Sequence, residues 1–411
     1  MSDTGFLLEL PIPFRKSAEG KLLVESQALN GLRCWSDHFH RVTVCAPVIP
    51  EKYAACKSLM QWVDPSSLLA ERNIKLEPLP WGYHPLDYLR YRKSVREKLL
   101  TLINSHRYLC FSNLGYLGAW GNIAADVARE LNRDYSLWFD WVIHEMPKPK
   151  SNSLTKQLLQ FIARHNSKYQ TYKAIRGCSL GLFHGKTVYD AYAPLCREPH
   201  VVHDIHMSKQ DALSDDELVN KLVSVQSRKD LRIGYLGRVH PMKAPDEWIE
   251  VINQVNQRLG VGRVQATWLG NGPLLDASIE KVKKAGLLNT INFAGFVSDR
   301  EAIRNFLMQI DIFLFCHITP ESPRCLIESL ILGTPLVGYE SAYARDLVGD
   351  RGGAMFSNIH DVNGLADHLC KLVDDRDKLS RLIKEAAASR SLYNDATVFE
   401  HRSHLIKTYL T

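Results

Sequence analysis

Two glutamates, Glu321 and Glu328, lie in a short segment between a strongly apolar run and a helical pattern. The apolar run at 312–316 is typical of a buried strand, and the helical pattern begins near Pro323. Two carboxylates in such a turn suit acid–base chemistry or the binding of ribose and sugar hydroxyls. The alternative interpretation is that both acids only complement the dipole of the helix, which explains Glu321 better than Glu328.

The first turn of that helix is also a candidate anion site. Backbone N–H groups in a first helical turn have no partner within the helix, and the helix dipole favours negative charge there. In this segment those groups belong to residues 324–326. Because an open α/β sheet binds its ligand at the carboxyl ends of its strands, we expect a ligand here.

Two cations follow another apolar run, at 231–236. Gly237 permits a tight turn, and Arg238 and Lys243 then follow the strand pattern. Two cations beside a strand–helix turn suit a diphosphate, because charge-assisted bonds to phosphate oxygens are strong. The alternative is a solvated loop with two ordinary surface cations.

A glycine pair, Gly270 and Gly272, follows the next apolar run at 264–269. The pair resembles the first half of a dinucleotide fingerprint, but position 275 is leucine where the third glycine would stand. Pro273 suits the first turn of a following helix, so a purely structural role also explains the motif.

In the first half of the chain, Asp140 and His144 follow an apolar strand pattern at 136–139. Either side chain could orient or deprotonate an acceptor hydroxyl. A lone histidine is more often structural, and that alternative stays open.

Length and composition limit the class of protein. The chain has 411 residues, which favours two domains, and its net charge of +6 does not indicate a nucleic-acid binder. Nine scattered cysteines without a CxxC motif favour reduced thiols and a cytoplasmic location. The first ten residues carry no basic segment before their apolar run, so we expect no signal peptide.

Short apolar strands alternate with amphipathic helices, which predicts an α/β fold of two doubly wound, Rossmann-like domains facing a cleft. Helical patterns in the first half include Lys21–Cys34. The polar interval 205–229 is interpreted as the linker. We therefore expect domains at 1–204 and 230–392, with a final helix at 393–411 that packs back on the first domain.

Two segments of the first half combine basic and apolar residues. No acidic residue lies between Glu145 and Asp190, whereas lysine, arginine, leucine and aromatic residues are frequent there. A second basic patch lies at 90–98. Basic amphipathic helices can lie on anionic lipid, so peripheral contact with the inner face of the cell membrane is one interpretation. The other is a solvated helix whose apolar face belongs to the core.

Several segments of the second half occur in a characteristic order. They are GR-x4-K at 237–243, LGNGP at 269–273, INFAGFV at 291–297, DIFLFC at 311–316 and ESLILGTPLVG at 328–338. Over about residues 231–375 this order resembles the donor half of retaining, two-domain glycosyltransferases of the GT-B fold, specifically glycosyltransferase family 4.

The resemblance implies roles for individual residues. Arg238 and Lys243 would hold the donor diphosphate, Glu328 the ribose, and Glu321 with nearby amides the transferred sugar. The implied donor site comprises Gly237, Arg238, Lys243, Gly270, Phe296, Val297, Ser322, Arg324, Cys325, Leu326 and Glu328. The implied acceptor side comprises Lys16, Gly20, Asp140 and His144. Lys16 and Gly20 lie in one turn, and the alternative interpretation of that turn is an ordinary strand–helix connection.

The sequence departs from the family pattern in two places. The family usually spaces its glutamates as Glu-x7-Glu, but only six residues separate Glu321 from Glu328. Alignment on Glu328 would put Pro320 in the first position. Lys243 is followed by Ala244 rather than by the common glycine.

The function implied is transfer of a sugar from a UDP-sugar or GDP-sugar to a hydroxyl of a glycan or lipid-linked acceptor, in cell-surface polysaccharide or glycolipid biosynthesis. Glu321, Arg238, Lys243 and His144 are the expected catalytic set, and no cofactor or metal is required. The Asp375-Arg376-Asp377 motif lies in a charged helical pattern and is interpreted as surface helix. The alternatives are a sugar-nucleotide epimerase of the same fold and a non-catalytic sugar-nucleotide or glycan-binding protein.

Overall fold

Short apolar segments form the strands of two parallel sheets, as their patterning predicts. The computed structural model describes residues 5–54, 60–112, 114–115, 118–143 and 153–410. The chain divides into two units by its internal contacts. The first comprises Met1–His206, Pro320–Ser322 and Ala396–Thr411, and the second comprises Met207–Thr319 and Pro323–Asp395.

The described residues of the first unit include ten strands. They are β1 (Gly5–Glu9), β2 (Arg15–Lys16), β3 (Leu22–Glu25), β4 (Arg41–Pro47), β5 (Trp62–Val63), β6 (Ile74–Leu79), β7 (Tyr108–Ser112), β8 (Ser136–Phe139), β9 (Leu180–His184) and β10 (Pro199–Val202). Seven of them form a sheet in the order β10-β9-β8-β7-β1-β4-β6, and every pairing in it is parallel. The other three form a small sheet, β2-β3-β5.

Helices connect these strands and cover the large sheet. They are α1 (Ser26–Ser36), α2 (Glu51–Ala54), α3 (Ser66–Glu71), α4 (Pro85–Asn104), α5 (Trp120–Glu130), α6 (Leu154–Gly177) and α7 (Gly185–Tyr192). Side chains of α4, α5 and α6 form one hydrophobic core with the strands, which includes Leu99, Ala124 and Ile175.

The second unit begins with helix α8 (Asp215–Ser227) and contains a six-stranded sheet. Its strands are β11 (Leu231–Leu236), β12 (Val264–Leu269), β13 (Ile291–Gly295), β14 (Ile312–Phe315), β15 (Leu336–Tyr339) and β16 (Ala354–Ser357). They pair in the order β13-β12-β11-β14-β15-β16, again all parallel. The helices are α9 (Pro245–Leu259), α10 (Leu275–Lys284), α11 (Arg300–Gln309), α12 (Arg324–Ile331), α13 (Ala342–Val348), α14 (Val362–Asp374) and α15 (Arg376–Ala387). The prediction of two doubly wound α/β sheets is confirmed.

The last helix, α16 (Asp395–Tyr409), belongs almost entirely to the first unit. The side chain of Arg402 is fully buried there, pairs with Asp204 at 3.1 Å and lies over the ring of Trp138. Phe399 packs edge-on against Trp35 with ring centroids 5.1 Å apart.

Two local predictions differ from the structure. The interval 205–229, which was interpreted as a linker, contains α8, whose start is a capping box between Ser214 and Glu217. Lys221 of this helix is buried and donates to Thr334 at 2.6 Å, so this polar sequence forms a helix that packs on the second unit. The helical pattern at Lys21–Cys34 begins as strand β3 instead, because Leu22–Glu25 pairs with β2 and β5 before α1 starts.

Candidate functional site

The second sheet reverses its strand order between β11 and β14, which are neighbours in parallel register. In open α/β sheets the carboxyl ends of the strands at such a switch point form the ligand crevice. The turn that follows β11 carries Gly237, Arg238 and Lys243, and the turn that follows β14 leads into α12. The topology therefore places the two predicted donor-binding segments at one switch point.

Close backbone packing explains the glycines of this region. A Cβ atom at position 270 would lie 1.9 Å from the carbonyl oxygen of Gly237, and one at 272 would lie 2.4 Å from that of Val239. The backbone N–H of Gly237 donates to Leu269 at 2.9 Å. The indole N–H of Trp268 donates to the Gly237 carbonyl at 2.8 Å. Gly270 thus holds two strand-end turns together, which is the structural interpretation of the glycine pair.

Lys243 ends a short 3-10 helix, Pro241–Lys243, and is only 9% exposed. The following Ala244 adopts a left-handed backbone conformation, with φ of 43° and ψ of 58°. Non-glycine residues pay a steric penalty there, so the alanine that departs from the family pattern sits where glycine fits better. Pro245 then starts α9.

A buried Tyr–His pair links the ends of β11 and β14. The Tyr235 hydroxyl and His317 Nε2 are 2.7 Å apart, and His317 is 9% exposed. Burial, followed by the charge of Lys243, holds the pKa of His317 well below its ordinary value. A Cβ at Gly237 would lie 2.8 Å from the Tyr235 hydroxyl, so the pair also supports the glycine turn. The sequence analysis did not predict this pair. The position of His317, just after a buried strand, is the feature that could have indicated it.

Helix α12 starts close to where the sequence places it. Its cap, Pro323, makes no side-chain capping bond, and no acidic residue lies in the first turn. The N–H of Leu326 donates to the Pro323 carbonyl at 3.2 Å, so this amide is partnered, contrary to the expectation for residues 324–326. Arg324, Cys325 and Glu328 are all partly exposed.

Phe296 and Val297 directly follow β13, at the same edge of the sheet. Phe296 is 51% exposed, which suits stacking on a flat ligand group. The carbonyl of Gly295 accepts from the N–H of Gly270 at 2.7 Å, so this strand end is tied to the glycine turn.

Glu321 and Ser322 group with the first unit, not with α12. Glu321 forms an isolated antiparallel bridge with Trp141, and the N–H of Val142 donates to the Pro320 carbonyl at 3.3 Å. The Ser322 hydroxyl is buried and donates to the carbonyl of His184. Glu321, which was predicted to contact the sugar, and Ser322, which was predicted for the donor site, therefore belong to a different unit from Glu328.

On the first unit, Asp140 lies beside a buried histidine that sequence reasoning missed. His184 Nδ1 is 3.5 Å from Asp140 Oδ1, and its Nε2 accepts from the N–H of Asp204 at 3.0 Å. Because Nε2 accepts a hydrogen bond, the neutral ring carries its proton on Nδ1, facing Asp140. His144 lies outside the described residues.

Lys16 and Gly20 belong to a hairpin. Lys16 pairs with Leu22 across strands β2 and β3, and Gly20 has a φ of 81° with nothing within 4 Å of its Cβ position. The N–H of Gly20 donates to Ser17 at 3.0 Å. The turn therefore leads into a strand, where the sequence predicted a helix.

A buried acid lies at the switch point of the first sheet, between β1 and β7. Glu9 ends β1 and is 2% exposed. Burial raises the pKa of Glu9 to about 8, although the backbone N–H groups of Gly121 and Ser112 oppose the shift. Sequence reasoning missed Glu9, because an acid at the end of an apolar strand reads as solvent-exposed.

The aspartates of the Asp375-Arg376-Asp377 motif make structural contacts at the start of helix α15. Asp375 Oδ1 accepts from the N–H of Lys378 at 2.8 Å, and Asp377 accepts from the Gln226 side chain at 3.0 Å. Within the described ranges, no group of three or more His, Cys, Asp or Glu residues is arranged to hold a metal ion. No helix in the same ranges is both long and apolar enough to cross a bilayer.

Comparison with known proteins identifies the region around the second switch point. Residues 220–389 match the family model "Glycosyl transferases group 1". The 2-deoxystreptamine N-acetyl-D-glucosaminyltransferase of Niallia circulans is 27% identical over 139 residues, which cover 34% of this chain and 35% of that enzyme. The chain thus aligns with about a third of this curated relative.

Solved structures share the fold over the whole chain. Anabaena HepE in complex with UDP superposes with a TM-score of 0.67 at 15% identity, over 98% of this chain and 99% of HepE. Sucrose-phosphate synthase from Thermosynechococcus elongatus gives a TM-score of 0.64 at 11% identity, over 98% of each chain. Residues 220–389 are a Glycosyl transferases group 1 domain, and the chain has the GT-B fold of glycosyltransferases.

Proposed function

We propose that this protein is a retaining glycosyltransferase of family 4. It transfers a hexose from a nucleoside-diphosphate sugar to a hydroxyl of a glycan or lipid-linked acceptor. The observation that carries the proposal is the switch point of the second sheet, where the Gly237–Lys243 turn and the start of α12 follow neighbouring strands within the group 1 domain. A UDP-sugar is the favoured donor over a GDP-sugar, because HepE was solved with UDP.

Each donor-side residue has a chemical task in this proposal. Arg238 and the buried Lys243 bind the diphosphate, where positive charge stabilises the negative charge that develops on the leaving group. Tyr235 and neutral His317 hold the turn that carries both cations. Glu328 binds the ribose hydroxyls, and Phe296 lies against the base.

The reaction breaks the bond between the sugar C1 and the β-phosphate oxygen and forms a bond from C1 to the acceptor oxygen. The acceptor proton passes to the departing phosphate oxygen, so the products are the glycoside and a protonated nucleoside diphosphate. Asp140, beside His184, orients the acceptor hydroxyl, and Glu321 contacts the transferred sugar. In this proposal, no step requires a metal ion or a cofactor.

We further propose a cytoplasmic protein that acts in cell-surface polysaccharide or glycolipid biosynthesis. The support for this is the scatter of the cysteines and the basic composition of residues 146–189. None of the eight cysteines in the described ranges forms a disulfide.

The test is a panel of nucleotide sugars, with mass-spectrometric detection of released nucleoside diphosphate. Lys243→Ala and Glu328→Ala should each lower release by about 100-fold or more, because each removes a charged contact. Lys281→Ala is the matched control, since Lys281 is a partly exposed cation of the same unit that pairs with Asp246. Undiminished release by both site variants would refute the site assignment.

The same assay separates the alternatives. An epimerase would convert the donor into an isomer of equal mass without acceptor, which chromatography resolves. A non-catalytic binding protein would retain the nucleotide sugar in equilibrium dialysis and release no nucleoside diphosphate.

A further inference from the structure

Helix α6 consists of two halves with different surroundings. From Ser167 onward it packs on the first unit, with Ser167, Thr171 and Ile175 buried. Its first half carries large apolar side chains that are mostly in solvent. The exposed fractions there are 81% for Leu154, 59% for Leu158, 61% for Leu159, 59% for Phe161 and 53% for Ile162.

The exposed apolar residues do not continue the face that packs on the core. Leu154, Leu158, Phe161 and Ile162 follow the i, i+4, i+7, i+8 spacing of one helical stripe. At 100° per residue, the centre of this stripe lies about 125° around the helix from the centre of the buried face formed by Ser167, Thr171 and Ile175. The apolar surface is therefore a separate face of α6, and the described residues of the first unit leave it exposed.

Positive charge accompanies the stripe. Arg164 and Lys168, both exposed, lie along one side of it, and no acidic residue occurs between Glu145 and Asp190. The ring of His165 lies against that of Phe161 in a tilted arrangement, with ring centroids 4.0 Å apart. An apolar stripe whose charged neighbours along the helix are all cations is the pattern of helices that lie in the interface of an anionic bilayer.

The start of α4 adds a second exposed apolar element, which carries Asp87 in its first turn and Arg90 just after it. Leu86 is 70% exposed and Leu89 is 67% exposed, and the neighbouring Arg90 is exposed as well. Helix α5 packs against both α4 and α6. Since each of these helices follows a strand of the same parallel sheet, their N-terminal ends lie at its carboxyl edge. The two exposed elements thus occupy one edge of the first unit.

We propose that this edge is a docking surface for anionic lipid, formed by the first half of α6 and the first two turns of α4. The apolar side chains insert between headgroups, and the cations contact lipid phosphates. A second copy of the chain fits less well, because a two-fold contact through this face would bring Arg164 and Lys168 against themselves. If the proposed glycosyltransferase function holds, the surface brings a lipid-linked acceptor to the edge where the first sheet binds ligands.

The experiment is flotation of the full chain with lipid vesicles. Vesicles with roughly 30% phosphatidylglycerol in phosphatidylcholine should bind at least about tenfold more protein than pure phosphatidylcholine. The variant Leu158→Asp/Phe161→Asp/Ile162→Asp should lose that binding. Arg164→Gln/Lys168→Gln should lose the preference for phosphatidylglycerol and its sensitivity to salt.

Leu288→Asp is the matched control, since Leu288 is 60% exposed and lies in the second unit. It should bind vesicles as the unmodified protein does. The three aspartates replace exposed side chains, so the circular dichroism spectrum and the release of nucleoside diphosphate from the donor should stay unchanged. Retained donor turnover with lost flotation separates this proposal from the proposed function.

Three results would overturn the proposal. One is equal flotation with both vesicle types, and another is unchanged flotation of the triple aspartate variant. The third is a dimer in light scattering that the triple variant abolishes while vesicles bind neither protein, which would assign the face to a second copy of the chain.

Discussion

The carboxyl edges of the two sheets differ in how they treat polar and apolar groups. The edge of the second sheet buries a cation and a histidine, Lys243 and His317, and packs backbone against backbone at Gly270. The edge of the first sheet exposes leucines such as Leu86 and Leu154 to solvent. The edge of the second sheet suits a small charged ligand held by fixed groups, and the edge of the first sheet suits contact with an extended surface.

The two edges also hold buried titratable groups of opposite kind. Glu9 in the first unit has a raised pKa, and His317 in the second has a lowered pKa. Both groups are therefore held neutral by burial. Stability should consequently respond to pH in opposite directions in the two units.

The largest effect is expected from Gly270→Ala. A Cβ there would lie 1.9 Å from a backbone oxygen, so the turns after β11 and β12 must separate. We expect a loss of about 3–4 kcal/mol in the free energy of unfolding, measured with urea. Gly286→Ala is the control: its φ is 70° with nothing within 4 Å, so it should cost only about 1 kcal/mol. Equal costs for both variants would mean that the close approach does not matter.

Glu9→Gln should remove a pH dependence from the first unit. The unfolded carboxyl releases its proton near pH 4.5, whereas the folded one keeps it up to about 8. The native state binds more protons in that window, so stability falls as pH rises through it. Glutamine does not titrate, and the variant should be more stable than the unmodified protein at pH 8 by about 2–3 kcal/mol.

Glu77→Gln is the control for that measurement. Burial raises the pKa of Glu77, but the hydrogen bonds from Lys75 and Lys98 outweigh it and the net shift is downward. This carboxyl stabilises the fold when ionised, so its replacement should destabilise the protein at neutral pH. The same sign for both variants would contradict the assigned shifts.

His317→Gln should act in the opposite direction to Glu9→Gln. The lowered pKa means that the unfolded state takes up a proton below about pH 6.5 while the native state does not, so stability falls on acidification. Unmodified protein should lose about 1 kcal/mol between pH 6.5 and 5.5, and the variant should lose less. Urea titrations at both pH values test this, with Tyr235→Phe as the variant that breaks the contact but retains the titration.

The smallest effect is expected from Ala244→Gly. Glycine adopts the left-handed conformation of this position without steric cost, which should raise stability by about 0.5–1 kcal/mol. Thermal unfolding measures the change. A decrease in stability would show that the strain at Ala244 is smaller than the entropy lost by ordering glycine.

The second unit was easier to predict than the first, for a physical reason. Few residue types are possible where two backbones approach closely, as at Gly270, or where a buried cation follows a strand, as at Lys243. Such motifs can therefore be recognised in the sequence. The strand pattern likewise predicted the core of both sheets, because apolar runs determine burial. Glu9 and His184 have no such signal: their burial depends on which strands become neighbours, and that is set by contacts distant in sequence.

Local patterns misled where a polar sequence packs. Helix α8 was interpreted as linker because its sequence is polar and charged, whereas in the structure Lys221 and Val225 are buried. The grouping of Glu321 with the first unit could not be predicted either, since the segments on both sides of Pro320–Ser322 belong to the second unit.

Because the first unit includes residues from the end of the chain, it cannot be completed until late in synthesis. Asp204 and Arg402 are separated by 198 residues of sequence, yet they form a buried pair. At roughly 5–20 residues per second, the ribosome needs about 10–40 s to add the missing partner. During that interval the rings of Trp35 and Trp138 lack the guanidinium that finally covers them. Nascent protein should therefore remain a substrate for chaperones until α16 has been made, long after the seven strands of the first sheet are available.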